Sequence, residues 1–309
     1  MKKHHNIEAN GVSLHVVEEG AGPAVLFCHG FPAIWSSWIR QMEAVASAGF
    51  RAVALDMRGY GASSAPTDAE QYTPFETVGD LVAVLDALGI ETACVVGHDF
   101  GANVAWNAAM MRPDRFSAVA SLSVQYRPLG GPSFLDRLRD AGKHDFYWFD
   151  MMRPEADAAW ADAAASVPGM MYWSSGEAPE ETRWHPFDPA RTFRRAAPTT
   201  LKMAPEYVAE AIDVFTRTGF HGALNYYRSV DPFTRHSAAF AGVKINQPSM
   251  FLAGSADGMN LIAMPDREAM RVNLTDLRSF TMIEGVGHWP QLEAPDRTND
   301  ALVTFLQGL

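Results

Sequence analysis

Short apolar runs alternate with longer amphipathic stretches along the first part of the chain. Residues 13–19 (SLHVVEE) predict a first strand, and residues 24–28 (AVLFC), 51–55 (RAVAL), 93–96 (ACVV) and 117–124 (SAVASLSV) predict short, mostly buried strands. Between them, residues 36–48 and 76–88 have helical spacing and are closed by Gly49 and Gly89, where a left-handed C-terminal glycine belongs. Residues 101–111 form a further helix, stopped before Pro113. Short apolar strands alternating with helices imply a parallel sheet covered on both faces.

The alternation stops between about Arg127 and Phe240. This stretch opens with the break RPLGGP, is rich in Trp, Met, Tyr and Pro, and reads as helices joined by loops. The βα pattern resumes with a strand at 248–253 (PSMFLA), a helix near 263–272, a strand at 278–283 (RSFTMI) and a helix at 294–307. The expected organisation is therefore a sheet-forming core in two parts, 1–127 and 241–309, with a helical lobe at 128–240 inserted between them.

Composition narrows the setting. At 309 residues, 48% hydrophobic and 20% charged, the chain is long enough to bury a large core. A formal net charge of −11 without a Lys/Arg cluster argues against a nucleic-acid partner. No apolar run is long enough to span a membrane, and MKKHHNIEANG lacks the apolar stretch of a secretory signal. The two cysteines, Cys28 and Cys94, lie in apolar runs and suggest no disulfide framework. A cytoplasmic protein is expected, and a homodimer is left open.

The strongest local signal is VVGHDFGA, residues 95–102. A strand running into a helix through a very tight turn needs glycines two residues before and after the apex, here Gly97 and Gly101 around Asp99. The apex residue is pushed out above the sheet as a nucleophile. Taken alone, Asp99 also reads as a helix N-cap. His29-Gly30-Phe31-Pro32 follows the 24–28 strand, at the sheet edge where such folds bind ligands. A backbone N–H of this loop, assigned to Phe31, and that of Phe100 are the expected oxyanion-hole donors. A cis Phe31–Pro32 bond fits the turn. His288, in EGVGHWP after the last strand, stands where a base is delivered. Asp257, in LAGSADG after the 248–253 strand, is the expected orienting acid, although an Asp-Gly turn would read the same way. The rival position, after residues 117–124, offers only SVQYRP and no carboxylate.

From about residue 7 to the end, the chain resembles the soluble α/β-hydrolase-fold epoxide hydrolases. HGFPAIWSSW, DMRGYGAS, GHDFGANVAW, RPDRFSAV, GFHGALNYYRS and GVGHWPQLEAPD carry the resemblance, in order and at the right spacing. It implies a mostly parallel eight-stranded sheet with helices on both faces and an inserted α-helical cap. It also implies two cap tyrosines that hold the epoxide oxygen. Tyr227, in Asn225-Tyr226-Tyr227-Arg228, matches one, and Tyr147, with Pro154 seven residues on, matches the other more loosely. His29, Pro32, Trp148, Met259 and Trp289 are expected to line the substrate pocket. The residue after the nucleophile is often Trp in that family and is Phe100 here.

The implied reaction opens a hydrophobic epoxide by attack of Asp99, leaving an alkyl ester that water hydrolyses with His288 as base, and it needs no metal or organic cofactor. Two other functions stand beside it. A haloalkane or haloacid dehalogenase uses the same Asp nucleophile, but Phe100 replaces the Trp or Arg such enzymes place beside it. A non-catalytic ligand receptor on the same fold need keep only the pocket, not the full set of Asp99, Asp257, His288 and two tyrosines.

Overall fold

The computed structural model describes residues 2–131 and 133–309. Eight strands form one sheet: β1 (Lys3–Ala9), β2 (Val12–Gly20), β3 (Ala24–Cys28), β4 (Arg51–Leu55), β5 (Ala93–His98), β6 (Phe116–Leu122), β7 (Ser249–Gly254) and β8 (Leu277–Ile283). Their spatial order is β1-β2-β4-β3-β5-β6-β7-β8. The pairs β1–β2 and β2–β4 are antiparallel, and all others are parallel. The mostly parallel eight-stranded sheet expected from the sequence is present.

The first strand of the sheet is not the one at 13–19. β1 precedes it, and only Ile7 of its side chains is buried. A polar edge strand carries little apolar alternation. The signal that marks it is Asn10-Gly11, both at positive φ (50° and 75°), the pair that favours a tight β-hairpin turn.

Helices cover both faces. On one side, α1 (Ile39–Ser47) and a C-terminal helix (Pro295–Gln307) pack against a cluster containing Phe27, Trp38, Met42, Leu252 and Phe305. On the other, α2 (Pro74–Ala87) and α3 (Phe100–Met111) lie over Leu26, Val53, Val95 and Val119. That second cluster continues without a break into Trp160, Met171, Phe215 and Tyr227 of the segment between β6 and β7. Among the described residues this segment contains no strand. Its helices are α4 (Phe134–Asp140), α5 (Tyr147–Met151), α6 (Ala156–Trp160), α7 (Ala163–Ser174), α8 (Pro205–Thr218), α9 (His221–Arg228) and α10 (Val230–His236). The lobe is thus held on the sheet by one shared apolar core. The remaining expected helix, near 263–272, is a short one over Arg267–Arg271.

β3 and β5 are neighbours in the middle of the sheet, with Cys28 in register with Gly97. Their carboxyl ends present the His29–Pro32 loop and Asp99 side by side.

Candidate active site

Asp99 sits between β5 and α3 with φ 53° and ψ −119°, a conformation that a side-chain-bearing residue rarely adopts. The turn is possible because its flanks are bare. A Cβ on Gly97 would stand 2.1 Å from the Gly101 carbonyl oxygen, and one on Gly101 would stand 2.1 Å from the Cys28 carbonyl oxygen. Asp99 caps nothing with its side chain, so the N-cap reading of this residue is not what the structure shows. Its Oδ1 instead accepts the Phe31 N–H at 2.8 Å. The Phe31–Pro32 bond is cis, as the turn suggested.

His288 Nε2 lies 3.5 Å from Asp99 Oδ2, and its Nδ1 lies 3.0 Å from Asp257 Oδ2. Asp257 keeps its other oxygen on the Met259 N–H at 2.9 Å. Burial disfavours a charged His288, but Asp257 and then Asp99 outweigh it and push the imidazole up to about 10. Asp99 is also opposed by burial, yet His288 and the Phe31 N–H hold its carboxyl below the usual range. The two neighbouring carboxyl groups therefore favour the charged form of His288 in the resting site.

The two cap tyrosines meet above this group. The Tyr147 and Tyr227 rings are 6.2 Å apart at 80° to one another. Tyr147 begins α5, where its N–H donates to the Pro186 carbonyl, and its hydroxyl makes a long contact to Met259 Sδ at 3.8 Å and lies beside the Trp148 side chain. Tyr227 lies in α9 and packs edge-on against Phe100 at 4.6 Å and Phe31 at 5.4 Å. Its hydroxyl has no hydrogen-bond partner among the described residues. Burial, and behind it the charge of Asp99, pushes both phenols upward, so both stay protonated donors. Tyr226, by contrast, donates to the Arg58 carbonyl at 3.1 Å and serves packing, as expected.

The expected pocket residues divide. Met259 touches Tyr147, Trp148 stacks on Phe100 at 5.8 Å, and Pro32 holds the loop of Phe31. His29 and Trp289 have their polar atoms engaged within the fold. His29 is fully buried. Its Nδ1 donates to the Gly30 carbonyl at 3.0 Å, and its Nε2 accepts the Met57 N–H at 3.1 Å. Trp289 is also fully buried, gives its indole N–H to Ser174 Oγ at 2.8 Å, and packs its ring on His288 and His98. Both residues shape the site from behind, because their polar atoms are already satisfied within the fold.

Three supporting residues carried no role in the sequence reading. His98 Nε2 donates to the His288 carbonyl at 2.7 Å, and Ser123 Oγ donates to the same oxygen at 2.9 Å. Ser123 occupies the strand end considered as the rival location for the acid. Glu293 accepts the N–H groups of Gly287 and Trp289, which flank His288, at 2.9 Å each, and that of Gly176 in the lobe at 2.8 Å. Each lies within or beside a motif, but only three-dimensional proximity reveals what it holds.

Comparison with known proteins bears on this geometry. Residues 23–295 match the family model described as the alpha/beta hydrolase fold. An epoxide hydrolase of Caballeronia sordidicola is 53% identical over 99% of this chain and 94% of its own length. The chain belongs to the α/β-hydrolase-fold epoxide hydrolases. Within that family, epoxide hydrolase A of Mycobacterium tuberculosis is 37% identical over 98% of this chain and 97% of its own length. Among solved structures, an epoxide hydrolase from an endophytic Streptomyces superimposes with a TM-score of 0.92 at 37% identity, covering 99% of this chain and 96% of its own. Epoxide hydrolase A of Mycobacterium thermoresistibile gives 0.91 at 36% identity, covering 100% and 99%.

Proposed function

We propose that the protein hydrolyses a hydrophobic epoxide to a vicinal diol through a covalent ester on Asp99. The observation that carries this reading is the placement of two neutral phenols, Tyr147 and Tyr227, over a carboxylate nucleophile that is paired with a His–Asp couple. Asp99 Oδ1 is occupied by the Phe31 N–H, which leaves Oδ2 to attack. The bond from Oδ2 to a ring carbon forms as the carbon–oxygen bond of the epoxide breaks. The electron pair passes to the ring oxygen, which takes a proton from a tyrosine. An alkoxide is a stronger base than a phenolate, so the proton passes to the ring oxygen as the ring opens.

Esterification removes the negative charge of Asp99. His288 then keeps only Asp257 as a carboxylate partner, so its pKa falls, and its proton passes to the tyrosinate left by ring opening, which makes both the phenol and the neutral base available. It takes a proton from water, the hydroxide adds to the Asp99 ester carbon, and the charge on Oδ1 is met by the Phe31 and Phe100 N–H groups. The diol oxygen leaves with the proton that His288 took from water, and the new carboxyl gives its own proton to His288, which restores the Asp99 carboxylate and the charged imidazole. Epoxide plus water gives diol, and every group of the site returns to its starting state.

The dehalogenase alternative is not favoured, because a halide leaves without needing the paired phenols. The receptor alternative does not account for the charged His288 couple. The two cysteines are free and buried, which supports a reducing compartment such as the cytoplasm as the place of action. Among the described residues no helix is long and apolar enough to cross a membrane. The direct test is product analysis with styrene oxide and 1-bromobutane side by side. Diol from the first without bromide from the second is expected, and the reverse would overturn the reading.

A further inference from the structure

Ring opening leaves a negative charge where the resting site holds none. When Tyr147 gives its proton to the ring oxygen, its O–H bond breaks and the electron pair stays on the phenol oxygen, inside the fold. Burial, and then the charge of Asp99, pushes that phenol upward, so its phenolate is costly to form. A fixed donor that meets the charged form offsets such a cost.

Trp148, which follows Tyr147 in α5, carries a donor of this kind. Its side chain is half-buried, yet its indole nitrogen is shut off from water and has no hydrogen-bond partner among the described residues. A buried donor left unpaired is unfavourable in the resting state and calls for a reason. The ring stands at 80° to that of Tyr147, with centroids 6.3 Å apart, and the Tyr147 hydroxyl lies beside it. Stacking on Phe100 at 5.8 Å and an edge-on contact with Tyr227 at 5.7 Å hold the ring there. Trp38 and Trp160 also keep buried, unpaired indole nitrogens. Their ring partners, however, are Phe27 for the first and Phe31, Phe193 and Phe220 for the second, and none of these has an oxygen that becomes charged. The two cap phenols differ in the same respect. Trp148 acts on Tyr147 against burial and Asp99, whereas burial, Tyr147, Asp99 and Tyr60 all push Tyr227 upward.

We propose that the Trp148 indole N–H donates to the Tyr147 oxygen as that oxygen loses its proton, and stabilises the tyrosinate until His288 supplies a proton in return. In the resting protein the two groups make no hydrogen bond. The bond gains strength as charge develops on the phenol, so it favours the transition state over the bound substrate. Trp148 is thus a positioning residue for ring opening that acts through Tyr147. This proposal rests on the epoxide-hydrolase reading above.

The test measures ester formation and ester hydrolysis separately, by rapid quench with styrene oxide, in the intact enzyme. Trp148 is replaced by 3-benzothienylalanine, which keeps the bicyclic ring and has sulfur in place of the N–H, and in a second variant by phenylalanine, Trp148→Phe. Loss of the N–H should slow ester formation by roughly 10- to 100-fold, as for a hydrogen bond to a charged group. Ester hydrolysis should not slow, whereas a distorted site would slow both steps. Each replacement is also combined with Tyr227→Phe and with Tyr147→Phe. The slowing should persist in the first background, where Tyr147 is the remaining acid, and vanish in the second. Ester formation at the wild-type rate in the benzothienyl protein would overturn the proposal, even if Trp148→Phe is slow, because packing alone would then be at work. Equal slowing in the Tyr147→Phe background would overturn it as well. Either result leaves the epoxide reading intact, whereas a wild type that forms no ester would overturn both.

Discussion

His288 Nε2 stands 3.5 Å from Asp99 Oδ2 while its Nδ1 stands 3.0 Å from Asp257 Oδ2. One imidazole is therefore shared between two carboxyl groups, and its proton is governed by both. Chemistry on one partner changes the basicity of the ring for the next step.

A pH dependence that differs between the two steps follows. Asp99 is held below the usual carboxylate range, so it stays ionised and ester formation should be flat from about pH 5 upward. Ester hydrolysis needs neutral His288. Its pKa is about 10 at rest and lower once Asp99 is esterified, so the hydrolytic rate should rise with pH and level off before the resting value is reached. Single-turnover kinetics on a slow epoxide separates the steps. A hydrolytic rate that falls as pH rises would contradict the base assignment.

The tyrosines should act in the first step alone. Tyr227→Phe should slow ring opening by roughly 10²- to 10⁴-fold, the range for loss of a general acid. Tyr147→Phe should have an effect in the same direction, moderated by Tyr227, whose hydroxyl has no hydrogen-bond partner among the described residues. Rapid-quench measurement of ester formation checks this. Ester formation at the wild-type rate in the double variant would remove both residues from the mechanism.

Glu293 ties the His288 segment to the lobe through three backbone N–H groups. Glu293→Ala leaves those donors unsatisfied, at about 1–3 kcal/mol for each buried group not reached by water. Denaturant unfolding should show a loss of at least about 2 kcal/mol, and kcat should fall with it because His288 is no longer fixed. Stability within about 0.5 kcal/mol of wild type would show that the contacts carry little.

Much of this site is legible in the chain because its chemistry is local. Gly97 and Gly101 announce the turn at Asp99 two residues away on either side, and the carbonyl contacts at 2.1 Å explain why nothing larger fits. Buried strands such as β3 and β5 stand out as apolar runs. Where the reading failed, the controlling fact was distant in sequence. β1 is polar because it is an edge strand whose outer side meets water. What His29 bonds to is not local either: the Met57 amide that donates to its second nitrogen is 28 positions away. Trp289 sits next to the base, but Ser174, 115 positions away, claims its N–H.

The covalent ester on Asp99 is the central claim, and intact-protein mass spectrometry of the His288→Gln variant tests it most directly. Without its base the variant should form the ester and fail to hydrolyse it. After incubation with styrene oxide and acid quenching, the protein should gain the full mass of the epoxide, since ring opening expels no atom, and peptide mapping should place the addition on the peptide holding Asp99. With 1-bromobutane no adduct of substrate mass less hydrogen bromide should form. An adduct from the bromide alone, or no adduct from an epoxide that the wild type turns over, would contradict the account.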